Sequence, residues 1–133
     1  MISAFDSTVT LFNRIGEDES GNGIYEKTII DRVRAVMYDR TANGGDTAPK
    51  STAKVYFSQS KSRPRDKKTY VSPSEWEGCD KTRFFTFSSA GDCIVIGEYP
   101  ESVPPENSML ITEASFFDAR LKRLRHVKVT CAF

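Results

Sequence analysis

"FFTFSSAGDCIVIGEY", residues 84–99, is the stretch on which the fold turns. A Gly-Asp pair beside a cysteine belongs either to a reactive loop or to a chain reversal that feeds a buried strand. A phosphate-binding loop needs Gly-x-x-x-x-Gly-Lys-Ser/Thr and a helix behind it. Here Gly91-Asp92 is followed by the apolar, β-branched run Cys93-Ile94-Val95-Ile96. The stretch is therefore expected to be strand, turn, strand. Phe85 and Phe87 enter the turn, Gly91 supplies a positive φ, Asp92 bonds locally, and Cys93 is a small buried thiol.

The same period of two recurs along the chain. "STVTLFN" (7–13) sets Val9 and Leu11 opposite Thr8 and Thr10. "TAKVYFSQ" (52–59) sets Ala53, Val55 and Phe57 opposite Lys54 and Tyr56. "RHVKVTCAF" (125–133) alternates most cleanly, with Val127, Val129, Cys131 and Phe133 on one side and His126, Lys128 and Thr130 on the other. Such alternation marks half-buried strands. "RIGEDESGNG" (14–23) has the composition of a hairpin loop. "IYEKTII" and "RVRAVMY" are two strands, or one strand bent near Asp31. "SMLITEASFF" (108–117) adds another strand, and Ser72-Pro73-Ser74-Glu75-Trp76 one helical turn whose Trp76 packs onto the body. "FFDARLKRLRH" (116–126) comes closest to helical spacing. The expected fold is all-β: a small antiparallel β-barrel or sandwich of about seven or eight strands, with two long loops, 39–51 and 60–68, and at most one short helix.

A chain of 133 residues with 28% charged residues and a formal net charge of +1 is expected to be one domain, 1–133, of ordinary globular composition. No apolar run approaches the roughly 20 residues that span a bilayer, and "MISAFDSTVT" lacks the pattern of a signal peptide. No membrane partner is expected. Cys79, Cys93 and Cys131 are odd in number and widely spaced, as free thiols in a reducing cytosol would be. They have no Cys-x-x-Cys spacing, so no metal site and no cofactor is expected. His126 is the only histidine, and no catalytic signature surrounds it. No spacing of His, Cys, Asp or Glu builds a mechanism, so no enzyme is expected and no catalytic residue is assigned.

Charge gathers in two places. "SKSRPRDKK" holds Lys61, Arg63, Arg65, Lys67 and Lys68 against Asp66 alone, and "RLKRLRHVK" holds Arg120, Lys122, Arg123, Arg125 and Lys128. Solvated surface is the plain interpretation. The sharper one is contact with phosphate or with an acidic partner.

The order of the segments carries a resemblance. "TVTLFNR", "YVSPSEWEG", "AGDCIVIGEY" and "MLITEASFFDARLKRLRHVKV" follow one another as in a family of small virion proteins of tailed bacteriophages and prophages. That family shows a T-V-T-[LV]-[YF]-N opening, Y-[IV]-x-P-x-E-W, G-D-x-I-V-x-G-E and a terminal strand starting with His. The chain departs from it in two places. "FTFSSAGD" is one residue longer and has no proline in the turn, and "HVKVTCAF" lacks the usual glycines.

The resemblance implies a head–tail connector subunit of the head-closure (stopper) or neck type, located in the virion at the head–tail interface and assembled in the bacterial cytoplasm. It also implies a homo-oligomeric ring, hexamer or dodecamer, between portal or adaptor and tail, with packaged double-stranded DNA passing through. On this expectation Lys61, Arg63, Arg65, Lys67 and Lys68 touch DNA or an acidic collar. Arg120, Lys122, Arg123 and Arg125 meet a neighbouring subunit. The alternatives are a tail-completion or tail-terminator protein, and an OB-type nucleic-acid-binding accessory that presents Tyr56, Phe57, Tyr70, Phe84, Phe85 and Phe87.

Overall fold

The computed structural model of the chain describes residues 5–40, 50–118, 120–121 and 125–133. Its elements run β1 (Ser7–Glu17), β2 (Gly23–Arg40), β3 (Lys50–Ser58), β4 (Arg63–Pro64), β5 (Thr69–Tyr70), α1 (Pro73–Trp76), β6 (Phe84–Phe85), β7 (Cys93–Ile96), β8 (Met109–Phe117) and β9 (His126–Ala132). The main sheet has the order β1-β7-β8-β9-β3-β2-β4, and β1 also pairs with β2, which closes a ring. The ring is not a regular barrel. One cause is the brevity of β7, which is four residues long and meets β8 at only two registered pairs. The fold is all-β and mostly antiparallel, as the alternation predicts. A small second sheet pairs β5 with β6 in parallel.

The inward face carries the predicted residues. Val9, Leu11, Ala53, Val55, Phe57, Val127, Val129 and Cys131 are all buried in one cluster with Phe85, Phe87 and Ile94. Phe133 is an exception: it is 61% exposed. It follows the last registered pairs of β9, Ala132 with Thr52 and with Leu110. "FFDARLKRLRH" does not begin as a helix, since Phe116 and Phe117 close β8 opposite Val127 and His126. Residues 119 and 122–124 lie outside the described residues.

"IYEKTII" and "RVRAVMY" form one strand, β2, bent where the sequence places the bend. Ile30 and Val33 are both fully buried but lie three positions apart, which a strict period of two forbids. The chain resolves the conflict with an extra residue. Arg32 takes φ +59, and the register passes from Val9 opposite Ile30 to Ser7 opposite Val33. This bulge marks where β2 leaves β1 and begins to pair with β3.

β1 is covered on both faces. Thr10, Phe12 and Asn13 are buried as well as Val9 and Leu11. The segment after β7 folds over the outer side: Thr10 Oγ1 donates to Gly97 O at 2.8 Å and accepts from Tyr99 N at 2.9 Å. Lys27 Nζ donates to the carbonyls of Tyr99 and Pro100. Phe12 is flanked edge-on by Tyr25 and Tyr99. The open outer face belongs to the second half of β2 with β3, β9 and β8. α1 is the single helical turn expected, and of the two expected starts, Pro73 and Ser74, it takes Pro73, with Ser72 as N-cap. Trp76 is buried, and Lys81 Nζ lies 4.4 Å from its ring centroid.

Candidate functional site

Residues 60–68, expected as a long flexible segment, are tied to the sheet. Ser62 Oγ donates to Arg32 O at 2.7 Å and accepts from Ser58 N at 2.9 Å. The five basic side chains divide. Arg65 grips Asp31 at 2.9 Å and Glu98 at 3.0 Å. Lys68 Nζ donates to Lys27 O at 2.7 Å and Thr28 Oγ1 at 3.2 Å, and lies 3.9 Å from Glu26. Its side chain is only 8% exposed, and burial pushes the ammonium down from its usual value against the pull of Glu26 and Asp66. Arg63 donates to the carbonyls of Ser60 and Ser62. Lys61 lies 5.1 Å from the Phe5 ring centroid, and Lys67 is exposed. Arg65 and Lys68 therefore have structural work within the chain, while Lys61, Arg63 and Lys67 face solvent.

The Arg65–Asp31 pair gives a pH signature. The hydrogen bond from Arg65, helped by Thr8 Oγ1 at 2.8 Å, lowers the Asp31 carboxyl below its usual range. A depressed folded value means stability that is present above the unfolded pKa of about 3.9 and lost as pH falls through the folded value. Arg65→Ala is therefore expected to move Asp31 up toward an ordinary carboxylate. It should also lower Tm at neutral pH and leave Tm nearly unchanged once both proteins are fully protonated. NMR titration of the Asp31 carboxyl, with melting curves at both pH values, checks this.

Of the second basic stretch, Arg120 is exposed and Arg125 pairs with Asp118 at 3.1 Å. Lys122 and Arg123 lie outside the described residues. The two stretches meet at one end of the sheet, because Gln59 N donates to Arg125 O at 3.2 Å and Ser58 is registered with His126. His126 stacks on Phe117 at 4.6 Å. Among the OB-type aromatics, Phe57, Phe85 and Phe87 are core, Tyr70 packs against it, and Phe84 is half-buried. Tyr56 alone among them stands on the open face, with the Arg34 guanidinium 5.1 Å above its ring.

The turn in "SSAGDC" holds more than a local bond. Gly91 has φ +99, as predicted. Asp92 is 2% exposed and reaches across to β1. Its carboxylate accepts from Arg14 N at 2.9 Å, from Asn13 Nδ2 at 2.8 Å and from Ser88 N at 3.1 Å. Asn13 Nδ2 also donates to Thr86 O at 2.7 Å. Burial raises the Asp92 carboxyl above its ordinary value, opposed by these three donors. Sequence reasoning missed this lock. Its visible signal is a polar residue at the end of each of two apolar runs, the Asn of "TLFN" and the Asp of "GDCI".

Beside the lock is a half-open cavity of about 430 Å³ bordered by Arg14, Trp76, Glu77, Thr86 and Ser88. Thr86 Oγ1 is buried there without a hydrogen bond of good geometry, with the Tyr70 hydroxyl as a polar neighbour. A Cβ on Gly91 would lie 2.8 Å from Arg14 Cδ, the stem that crosses the turn. Gly91→Ala adds this clash to a positive φ and is expected to cost about 1–3 kcal/mol, measured by urea denaturation. Arg14→Ala in the same chain should recover only the part due to the clash.

The thiols of Cys93 and Cys131 are buried. Burial pushes Cys93 up from its usual value and Cys131 up to about 12. Neither is a nucleophile in this state. Among the described residues no three of His, Cys, Asp and Glu gather as metal ligands, and no helix is long and apolar enough to cross a membrane.

Residues 4–132 match DUF6751, described as a family of unknown function, and the chain belongs to that family. No curated protein and no solved structure matches it.

Proposed function

We propose that this member of the DUF6751 family is a structural ring subunit of a phage neck, a head-closure (stopper) protein joining portal or adaptor to tail and helping retain packaged DNA. One observation carries the proposal: three of the four segments that resemble small virion proteins, β1, β7 and β8 with β9, lie side by side in the main sheet. "TVTLFN" is the core of β1, and "CIVI" is β7, which pairs with it from Val9–Ile96 to Phe12–Cys93. The Asn of the first and the Asp of the second meet in the buried lock. "SPSEW" is the capped turn α1, and the terminal strand starting with His is β9. The strand segments, weak singly, thus depend on one another physically, as a fold signature must. Exposed Leu110, Phe116, Phe117 and Phe133 on or beside β8 and β9 offer apolar area for neighbouring subunits. The OB-type alternative is less well supported, since most of the aromatics it needs are packed inside.

The test is the particle. Purified virions of the parent phage should contain the protein at the neck. Particles made without it should lose DNA or fail to join tails. A virion lacking the protein, or DNA-filled, tail-joined particles made in its absence, removes the proposal.

A further inference from the structure

We infer that the open face of β2, β3 and β9, and not the 60–68 segment, is where this chain meets the phosphate backbone of duplex DNA; this rests on the neck reading above. The register builds the face. Arg34, Tyr56 and Lys128 lie side by side across the three strands, and Val36, Lys54 and Thr130 form the neighbouring row. Adjacent strands are about 4.8 Å apart and residues two apart on a strand about 7 Å. The three cations therefore stand within roughly 10 Å of one another on one surface. The described residues of these rows and their continuation onto β8 carry one carboxylate, Glu113, registered with Thr130. The chain as a whole has 19 basic and 18 acidic residues, so this concentration is a local feature of the fold.

Two features favour duplex DNA over an acidic protein. The centre of the face holds Tyr56, Thr130 and Ser115 among the cations, side chains that bind phosphate oxygens. Its large aliphatic and phenyl side chains, Leu110 and Phe117, sit at its margins, where a neighbouring subunit could cover them. Single strands bind by stacking on exposed rings. Here the Tyr56 ring lies beneath Arg34, and His126 is stacked on Phe117. In the 60–68 segment Arg63, Arg65 and Lys68 donate to carboxylates and carbonyls of the chain, which leaves Lys61 and Lys67 as its other cations. Three phosphate contacts per subunit are weak alone and additive in a ring, which suits DNA that must pass and then be held.

The experiment uses the full chain and a short fluorescent duplex in anisotropy titrations at several salt concentrations. Binding is expected at low salt, with a log–log salt slope of about −2.7 for three contacts. Arg34→Glu with Lys128→Glu should weaken binding at least about tenfold and flatten that slope. Lys61→Glu with Lys67→Glu should leave it within about twofold. Lys54→Gln with Lys128→Gln removes charge without reversing it and repeats the test if the first pair fails to fold, as circular dichroism will show. No binding at low salt, tighter binding of a single strand, or binding unchanged by the face variants overturns the inference. A protein present at the neck that binds no duplex keeps the neck reading and loses this one; a protein that binds duplex but is absent from the particle does the reverse.

Discussion

Phe57→Ala is expected to lower stability by about 3–5 kcal/mol. Phe57 is 3% exposed, and its ring centroid lies 5.7, 5.5 and 5.7 Å from those of Tyr70, Phe85 and Phe87. These rings come from β3, β5, β6 and the residue that follows them toward the turn, so Phe57 joins the main sheet to the small one. Removing it deletes the burial of an aromatic ring and leaves a cavity that the surrounding backbone cannot close. Its neighbour gives the internal control. Tyr56 points to the open face, and Tyr56→Ala is expected to cost about 1 kcal/mol or less. Urea denaturation of both variants, with unchanged m-values, measures the contrast. Equal costs would mean that the inward and outward sides of β3 are wrongly assigned.

Asp92→Ala is expected to cost about 2–4 kcal/mol. Asn13 keeps its bond to Thr86 O, but the partly buried amides of Arg14 and Ser88 lose their acceptor. Asp92→Asn should cost less, because one amide oxygen still accepts. The pH dependence has a definite sign. Burial raises the Asp92 carboxyl above its ordinary value. The stability this group contributes is therefore fully present below the unfolded pKa, about 3.9, and declines as pH rises through the folded value. The gap between wild type and Asp92→Ala should be widest in acid and narrower at neutral pH. This is opposite in direction to the Arg65–Asp31 pair, whose contribution disappears in acid. Melting curves of the two variants across pH separate the groups. A gap for Asp92→Ala that closes in acid would show that hydrogen bonding to the carboxylate outweighs its burial.

Both effects trace to residues the sequence treats differently. "TAKVYFSQ" alone places Phe57 inward, because neighbours two apart on a strand share a face and the apolar set there is unbroken. The sequence around Asp92 indicates a turn residue bonding locally, which holds only for its contact with Ser88. Its bonds to Asn13 and Arg14 span 79 and 78 positions. No periodicity within a segment encodes contacts at that separation. The basic run 60–68 misleads for a related reason. Charge density in a sequence is counted along the chain, but Arg65 meets Asp31 and Glu98, and Lys68 meets Glu26, all from other segments. Conversely, Arg34, Lys54 and Lys128 are too far apart in sequence to look like a cluster. They become one only when β2, β3 and β9 are placed side by side.

Alternation of residues, turn chemistry at Gly91, and the Ser-Pro start of α1 are properties of neighbouring positions, and backbone geometry makes them legible without any partner. They are enough to define an all-β chain, the inward residues Val9 and Leu11 of β1, Ala53, Val55 and Phe57 of β3 and Val127, Val129 and Cys131 of β9, and the place where β2 bends. The partner of each strand, the lock between β1 and the turn, and the choice of which cations remain on the surface depend on long-range pairing. There the free energy comes from burying two distant segments together, and only the folded chain decides which two.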